Sequence, residues 1–267
     1  MVDKALSLYG DKDFDTFIDA VKGSYAASTQ SQIFKGLRAA FNYYIKKYDK
    51  SLSNPFSSAA QESKAEIPES KRSKQAYRIN EAMSIINAFA TGEYATAGYE
   101  YHDMHYVRLV SFLFNTGCRI EDALALTWDC IGKDCIEFSK SYSKGIHKST
   151  KNEKTRYFPL TDKLRDIIGD ADGKKPTDLV FPAIKGGYIN LNSWRRSYWS
   201  RIINALIRDG KVRKYLPPYH TRHTFISIQR EDGVPDAVIA EWVESSESMI
   251  VKHYSDSQSE KYKPSVI

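Results

Sequence analysis

Pro217-Pro218-Tyr219-His220-Thr221-Arg222-His223-Thr224-Phe225 is the stretch on which the reading of this chain turns. Two consecutive prolines do not fit a helix interior, where each lacks a donor and clashes with the preceding turn. They suit the residues just before a helix starts. A helix begun there carries Tyr219 and Arg222 on one face, because positions three apart are neighbours. A guanidinium fixed at a helix start can hold a phosphate by two parallel hydrogen bonds. Seen alone, the same arginine could equally pair with a buried carboxylate, so the order of the other motifs decides between the two.

Working outward, the charge pattern favours a polyanionic partner. The 267 residues carry a formal net charge of +6, and the distribution says more than the total. Residues 185–214 hold eight Lys or Arg against Asp209 alone, interleaved with Trp194, Tyr198 and Trp199. Residues 140–156 hold six against Glu153 alone. Two such patches fit a nucleic-acid track better than two solvated faces. A hydrophobic content of 42% is enough for a sizeable core, yet no run of eighteen apolar residues exists to span a membrane. The N-terminus lacks the basic-then-apolar signature of an export signal. Cys118, Cys130 and Cys135 are odd in number and form no Cys-x-x-Cys pair, which fits reduced thiols in a cytoplasmic protein rather than a disulfide frame or a metal site.

Periodicity organises the chain into two parts. Ile33, Leu37, Phe41, Tyr44, Ile45 and Tyr48 recur at steps of three and four behind Ser28 and Thr29, which are good helix caps, and this predicts an amphipathic helix. A weaker helix precedes it around Phe14 to Val21. From Leu52 to Lys74 the sequence turns polar and loses its period, so residues 57–75 are expected to be a linker between a helical domain at 1–56 and a larger domain at 76–267. In the larger part, helices are expected at Ile79–Phe89, Tyr106–Leu113 (closed by Gly117), Ile120–Leu126, Trp194–Ile207, Val238–Val243 and Met249–Tyr254. Strands are expected at Ile131–Phe138 and Arg156–Leu160, flanking a basic hairpin. The fold class is mainly α with a small β-sheet (α+β).

Three segments together resemble the tyrosine recombinases, the phage integrase family. Thr116-Gly117-Cys118-Arg119-Ile120-Glu121-Asp122-Ala123-Leu124-Ala125-Leu126-Thr127-Trp128 resembles the first arginine box. Arg222-His223-Thr224-Phe225 resembles the second, and His253-Tyr254 the nucleophile box. The resemblance covers about Arg78 to Tyr254 and implies a catalytic domain preceded by a short helical DNA-gripping domain. It also implies an enzyme that cleaves and rejoins DNA through a 3′-phosphotyrosine, with no cofactor, metal or ATP. Such chemistry needs a nucleophile, charge stabilisation at the non-bridging oxygens and an acid for the leaving 5′ oxygen. Tyr254 would attack. Arg119 and Arg222 would clamp the phosphate and favour the phenolate of a group whose free pKa is about 10. Lys151 would be the acid, since it lies eight residues before Pro159, as the family's hairpin lysine does; Lys148 and Lys154 are its neighbours. Asp122 matches an acid that braces the site, and His223 is expected to pack and hydrogen-bond.

Two positions depart from the family pattern. Tyr219 stands where histidine is usual, three residues before Arg222, and would donate through its hydroxyl. His220 is two residues before Arg222, about 200° away on a helix. Glu244-Ser245 stands where a glycine and a histidine or tryptophan are usual. Ser245 can still donate to a phosphate oxygen, whereas Glu244 would oppose a polyanion if it points inward. These departures define the alternative, a catalytically impaired DNA-binding protein of the same fold; a type IB topoisomerase would share the chemistry. DNA contacts are assigned to Lys35, Arg38, Lys148, Arg195 and Arg196. The resemblance implies double-stranded DNA as partner, self-association to a tetramer on synapsed duplexes, accessory DNA-bending proteins, and a tail after Tyr254 that docks on a neighbouring protomer.

Overall fold

The computed structural model describes residues 10–65, 75–143, 145–149 and 155–254, with side chains throughout except at 64, 65, 147–149 and 252–254. The chain divides into two compact units, Met1–Lys71 and Arg72–Ile267.

The first unit is three helices, α1 (Asp11–Ser24), α2 (Ala27–Lys47) and α3 (Ser57–Ala65). Its core is a Phe cluster: the Phe41 and Phe56 rings lie 5.1 Å apart and the Phe14 and Phe56 rings 5.7 Å, edge to face. Buried Gln30 closes the turn between α1 and α2 by donating to the Lys22 and Tyr25 carbonyls at 3.0 and 2.6 Å. The start of the expected linker is corrected here, because residues 57–65 are helix. Its Ser/Ala-rich composition lacks an apolar stripe, yet alanine is the best helix former. Phe56 fills the gap beside Phe14 and Phe41, and the small Ala59 and Ala60 pack closely on α2.

The second unit is built around α6 (Val107–Thr116), of which Leu109–Phe114 and Thr116 are all buried. A helix apolar on every side must lie in the middle, and α4 (Ile79–Thr91), α8 (Asp162–Ile168) and α11 (His220–Glu231) pack around it. A short α5 (Glu100–His105) leads in, and α6 ends at Gly117 in the left-handed conformation, φ 58°. Glycine is needed twice over at this position, since a Cβ would also meet the Phe225 ring of α11 at 2.5 Å. The close approach holds the end of α6 against α11, and α7 (Ile120–Leu124) follows directly and packs on α6 and the second strand pair.

The strands form two antiparallel pairs. β1 (Cys135–Phe138) pairs with β4 (Arg156–Pro159), placing Phe138 opposite Arg156. Between them in the chain, β2 (Lys140–Ser143) and β3 (Ile146–Ser149) form a hairpin. The expected single helix at Trp194–Ile207 is α9 (Leu191–Trp194) and α10 (Ser200–Arg208) joined by a π turn at Arg195–Trp199. The turn has a packing reason. Residues five apart lie on different sides of an α-helix, but i→i+5 bonding brings them together. Trp194 and Trp199 thereby both enter the core, their rings 5.9 Å apart. The last two helices, α12 (Asp236–Val243) and α13 (Glu247–Tyr254), pack on one another.

One buried carboxylate gives the fold an acid signature. Glu81, in the first turn of α4, accepts from the Arg78 N–H at 2.7 Å, from the Arg213 N–H at 2.8 Å, and from Arg213 Nε and Nη2 at 2.9 and 2.8 Å. Burial alone would raise its pKa. The hydrogen bonds from Arg213 and Arg78 outweigh that and hold it at about 2, from an ordinary 4.5. A lowered carboxylate pKa stabilises the fold above the unfolded value and loses that contribution as pH falls through the folded one. Urea unfolding between pH 5 and pH 2 should therefore show wild-type stability falling more steeply than that of Glu81→Gln, with the two curves converging near pH 2.

Candidate active site

The site forms where the end of α6, the start of α11 and the turn after α12 meet. Arg119 sits in an extended conformation at the N-cap of α7, two residues past the Gly117 turn. Arg222 lies in the first turn of α11, just beyond Pro217-Pro218, and is only 4% exposed. Its Nη1 donates to the Gly117 carbonyl at 3.1 Å. The two guanidiniums converge on one oxygen, the Glu244 carbonyl, which accepts from Arg119 Nη2 at 3.1 Å and from Arg222 Nη2 at 3.5 Å. Arg119 Nη1 also pairs with the Glu244 carboxylate.

Behind Arg119 lies a line of alternating charge. Asp122 Oδ2 is 3.9 Å from Arg119 Nη1 and 3.7 Å from Arg156 Nη2, and Arg156 lies over the Phe138 ring at 4.2 Å. Asp122 and Arg156 are both buried. Burial pushes the Asp122 pKa up against the pull of Arg156 and Arg119, and it pushes the Arg156 pKa down. Three guanidiniums face two carboxylates, so the described part of the site carries a surplus of positive charge. Cys118 is fully enclosed beside them, and burial raises its thiol to about 11. It is therefore a neutral thiol at physiological pH rather than a competing nucleophile.

The remaining sequence-assigned residues divide into three groups. Tyr219 is the N-cap of α11 and exposed, with its ring meeting buried His223 edge-on at 5.1 Å. His220 is half-buried against His223 at 5.1 Å, and burial lowers its pKa. Ser245 is exposed directly after Glu244, and its N–H donates to the Ala240 carbonyl at 2.9 Å. Tyr254 is the last residue of α13, nine positions beyond Ser245, and its side chain lies outside the description. Lys151, Lys154 and the tail beyond Tyr254 are outside the described residues, as is the Lys148 side chain on β3. Of the DNA-contact residues, Arg195 and Arg196 are exposed on the π turn. Lys35 is exposed and Arg38 half-exposed on α2 of the first unit. Among the described residues no three His, Cys, Asp or Glu side chains gather as metal ligands, and no helix is long and apolar enough to cross a membrane.

Sequence reasoning missed Arg156 as a member of the site. The signal was present in the strand alternation: Arg156 and Phe158 are buried while Tyr157 and Pro159 are exposed. A charged residue in phase with the apolar face of a strand has to find a partner inside.

A model of the phage integrase family matches residues 73–261. The chain belongs to the phage integrase family. This integrase-family chain is a tyrosine-type site-specific recombinase, an enzyme of DNA recombination. Solved structures share its fold at low sequence identity. A Tn1549 transposon integrase (residues 82–397, Y379F) in complex with transposon right end DNA superposes with a TM-score of 0.72 at 16% identity, over 96% of this chain and 84% of that one. A lambda integrase dimer bound to a COC′ core site gives 0.63 at 13%, over 100% and 70%. XerH site-specific recombinase bound to its difH substrate gives 0.63 at 13%, over 93% and 68%. No curated protein sequence matches the chain.

Proposed function

We propose that this recombinase breaks and reseals DNA by transesterification, with Tyr254 as nucleophile, Arg119 and Arg222 as the phosphate clamp and Lys151 as the acid. The Tyr254 oxygen bonds to the scissile phosphorus and the P–O5′ bond breaks. The leaving 5′ oxygen takes a proton from Lys151, and the phenol gives its proton to solvent water, a loss that the arginine-rich field favours. One ester replaces another, so the 3′-phosphotyrosine stores the energy needed for rejoining and no ATP is consumed. Asp122 braces Arg119, while Tyr219 and Ser245 donate to the phosphate from the edges. Each such donor is worth about 10²–10³ in rate.

The observation that carries this reading is the convergence of Arg119 and Arg222, 103 residues apart in sequence, on the Glu244 carbonyl oxygen. Two guanidiniums held 3.1 and 3.5 Å from one backbone oxygen form a ready-made seat for a phosphate oxygen. In the same reading the first unit grips the duplex through Lys35 and Arg38. Arg195, Arg196 and Lys148 track the backbone, four protomers assemble on two synapsed duplexes with accessory bending proteins, and the work is done in the cytoplasm on nucleoid DNA.

The test is covalent trapping. The protein is incubated, without added metal, with nicked duplexes taken from the DNA flanking its gene. The nick lets the short 5′-hydroxyl strand diffuse away, so cleavage leaves a denaturation-resistant adduct. Wild type should form it and Tyr254→Phe should not. DNA that shifts with equal affinity in both proteins and is never trapped would contradict the reading, and trapping on arbitrary sequences without paired sites would point to a topoisomerase.

A further inference from the structure

We propose that Glu244 is an internal competitor for the scissile phosphate: its carboxylate holds the Arg119 guanidinium in the DNA-free enzyme and has to leave it when a phosphodiester binds. The inference rests on Arg119 and Arg222 being the phosphate clamp.

Glu244 satisfies Arg119 as a phosphodiester would. It offers its carboxylate to Nη1 and its carbonyl to Nη2 at 3.1 Å, so one residue engages both outer nitrogens of the fork. A phosphate held in two parallel hydrogen bonds needs those same nitrogens. The two anions exclude one another by charge as well as by space. Asp122, 3.9 Å from Arg119 Nη1, already supplies one negative charge behind the arginine, and Glu244 supplies a second in front.

Two features mark this contact as one to be displaced. Among the described residues Glu244 is the only non-glycine with positive φ, at φ 52° and ψ 64°. A glycine would adopt that turn freely, whereas a side chain there is strained. In addition, the carboxylate is only half satisfied. Its Oε1 is buried and has no hydrogen-bond partner among the described residues. An unpaired buried acceptor is costly, and the cost vanishes once the oxygen reaches water. The way out is short, because the side chain is 16% exposed and Ser245–Met249 beyond it are exposed. The turn that must yield leads into α13, which starts at Glu247 and ends at Tyr254. Removal of the competitor therefore takes place at the root of the helix that carries the proposed nucleophile.

The experiment compares wild type with Glu244→Gln, Glu244→Gly and Glu241→Gln in the full chain. Glu241 is exposed on α12, so its variant removes an equal charge without touching the arginines. Affinity for the intact flanking-DNA duplex is read by fluorescence anisotropy, and the single-turnover adduct rate is read on the nicked duplex. Both Glu244 variants should bind or cleave about tenfold better than wild type, the scale of relieving a partly screened like-charge contact, with Glu241→Gln staying within about twofold. A gain of function cannot come from misfolding. Glu244 variants that match Glu241→Gln in both readouts, or that cleave more slowly while melting normally, overturn the inference. A chain in which no variant, wild type included, forms an adduct counts against the phosphotyrosine reading. The affinity comparison still decides the role of Glu244 in that case.

Discussion

Arg222→Ala should lower the single-turnover rate of adduct formation on a nicked duplex by at least about 10³-fold, while DNA affinity falls by less than about tenfold. The asymmetry follows from where the residue sits. Arg222 is buried with Nη1 fixed on the Gly117 carbonyl at 3.1 Å, so the guanidinium is already oriented and Nη2 is the edge turned toward the shared oxygen of Glu244. Affinity for a duplex is spread over many phosphate contacts, most of them at exposed lysines and arginines. Charge stabilisation at the reacting phosphate depends on two or three pre-oriented donors. Arg222→Lys separates charge from geometry. An ammonium keeps the charge but cannot bridge the Gly117 carbonyl and a phosphate as a planar fork does, so roughly 10²-fold of the loss should persist. Thermal melting of both variants controls for folding. A rate for Arg222→Ala within tenfold of wild type would remove Arg222 from the clamp.

Asp122→Ala should destabilise the second unit by about 3–5 kcal/mol, because it leaves Arg156 buried without its carboxylate. The Arg156 Nε, Nη1 and Nη2 atoms have no hydrogen-bond partner among the described residues. Asp122 at 3.7 Å and the Phe138 ring at 4.2 Å are the contacts that offset its desolvation. For a unit of this size the loss corresponds to a drop in melting temperature of roughly 10 °C. The double variant Asp122→Ala with Arg156→Met should recover most of it, since removing both charges abolishes the desolvation cost along with the attraction. The recovered protein should still cleave slowly, as Arg119 has lost its brace. A single Asp122→Ala variant that melts within 2 °C of wild type would mean that Arg156 is solvated.

Much of this was legible in the sequence where local chemistry dictates local structure. Pro217-Pro218 starts α11 where the prolines require it, and Gly117 ends α6 in the left-handed conformation that glycine favours. The apolar steps from Ile33 to Tyr48 mark α2, and alternation marks β1 and β4. The arginine boxes could be paired with one another because their order and spacing were intact. What escaped depends on partners distant in sequence. α3 owes its place to Phe56 meeting Phe14 and Phe41, which no period within residues 52–65 announces. The π turn exists because both Trp194 and Trp199 must reach the same core, and the spacing of one helix cannot say which neighbours wait there. Arg156 was half legible, in phase with Phe158 on the buried face, but its partner Asp122 lies across the fold. Glu244 was recognised as an opposing charge if it pointed inward; that it does so follows from a left-handed turn that a glutamate does not favour and so does not advertise.

The most direct measurement is to isolate the denatured adduct from a nicked duplex, digest it with protease and identify by mass spectrometry the peptide that carries the nucleotide. The phosphotyrosine account predicts one modified residue, Tyr254, joined to the 3′ phosphate of the cleaved strand, with a free 5′ hydroxyl on the released strand. A nucleotide on any other of the eighteen tyrosines, or a linkage to the 5′ end, would contradict it.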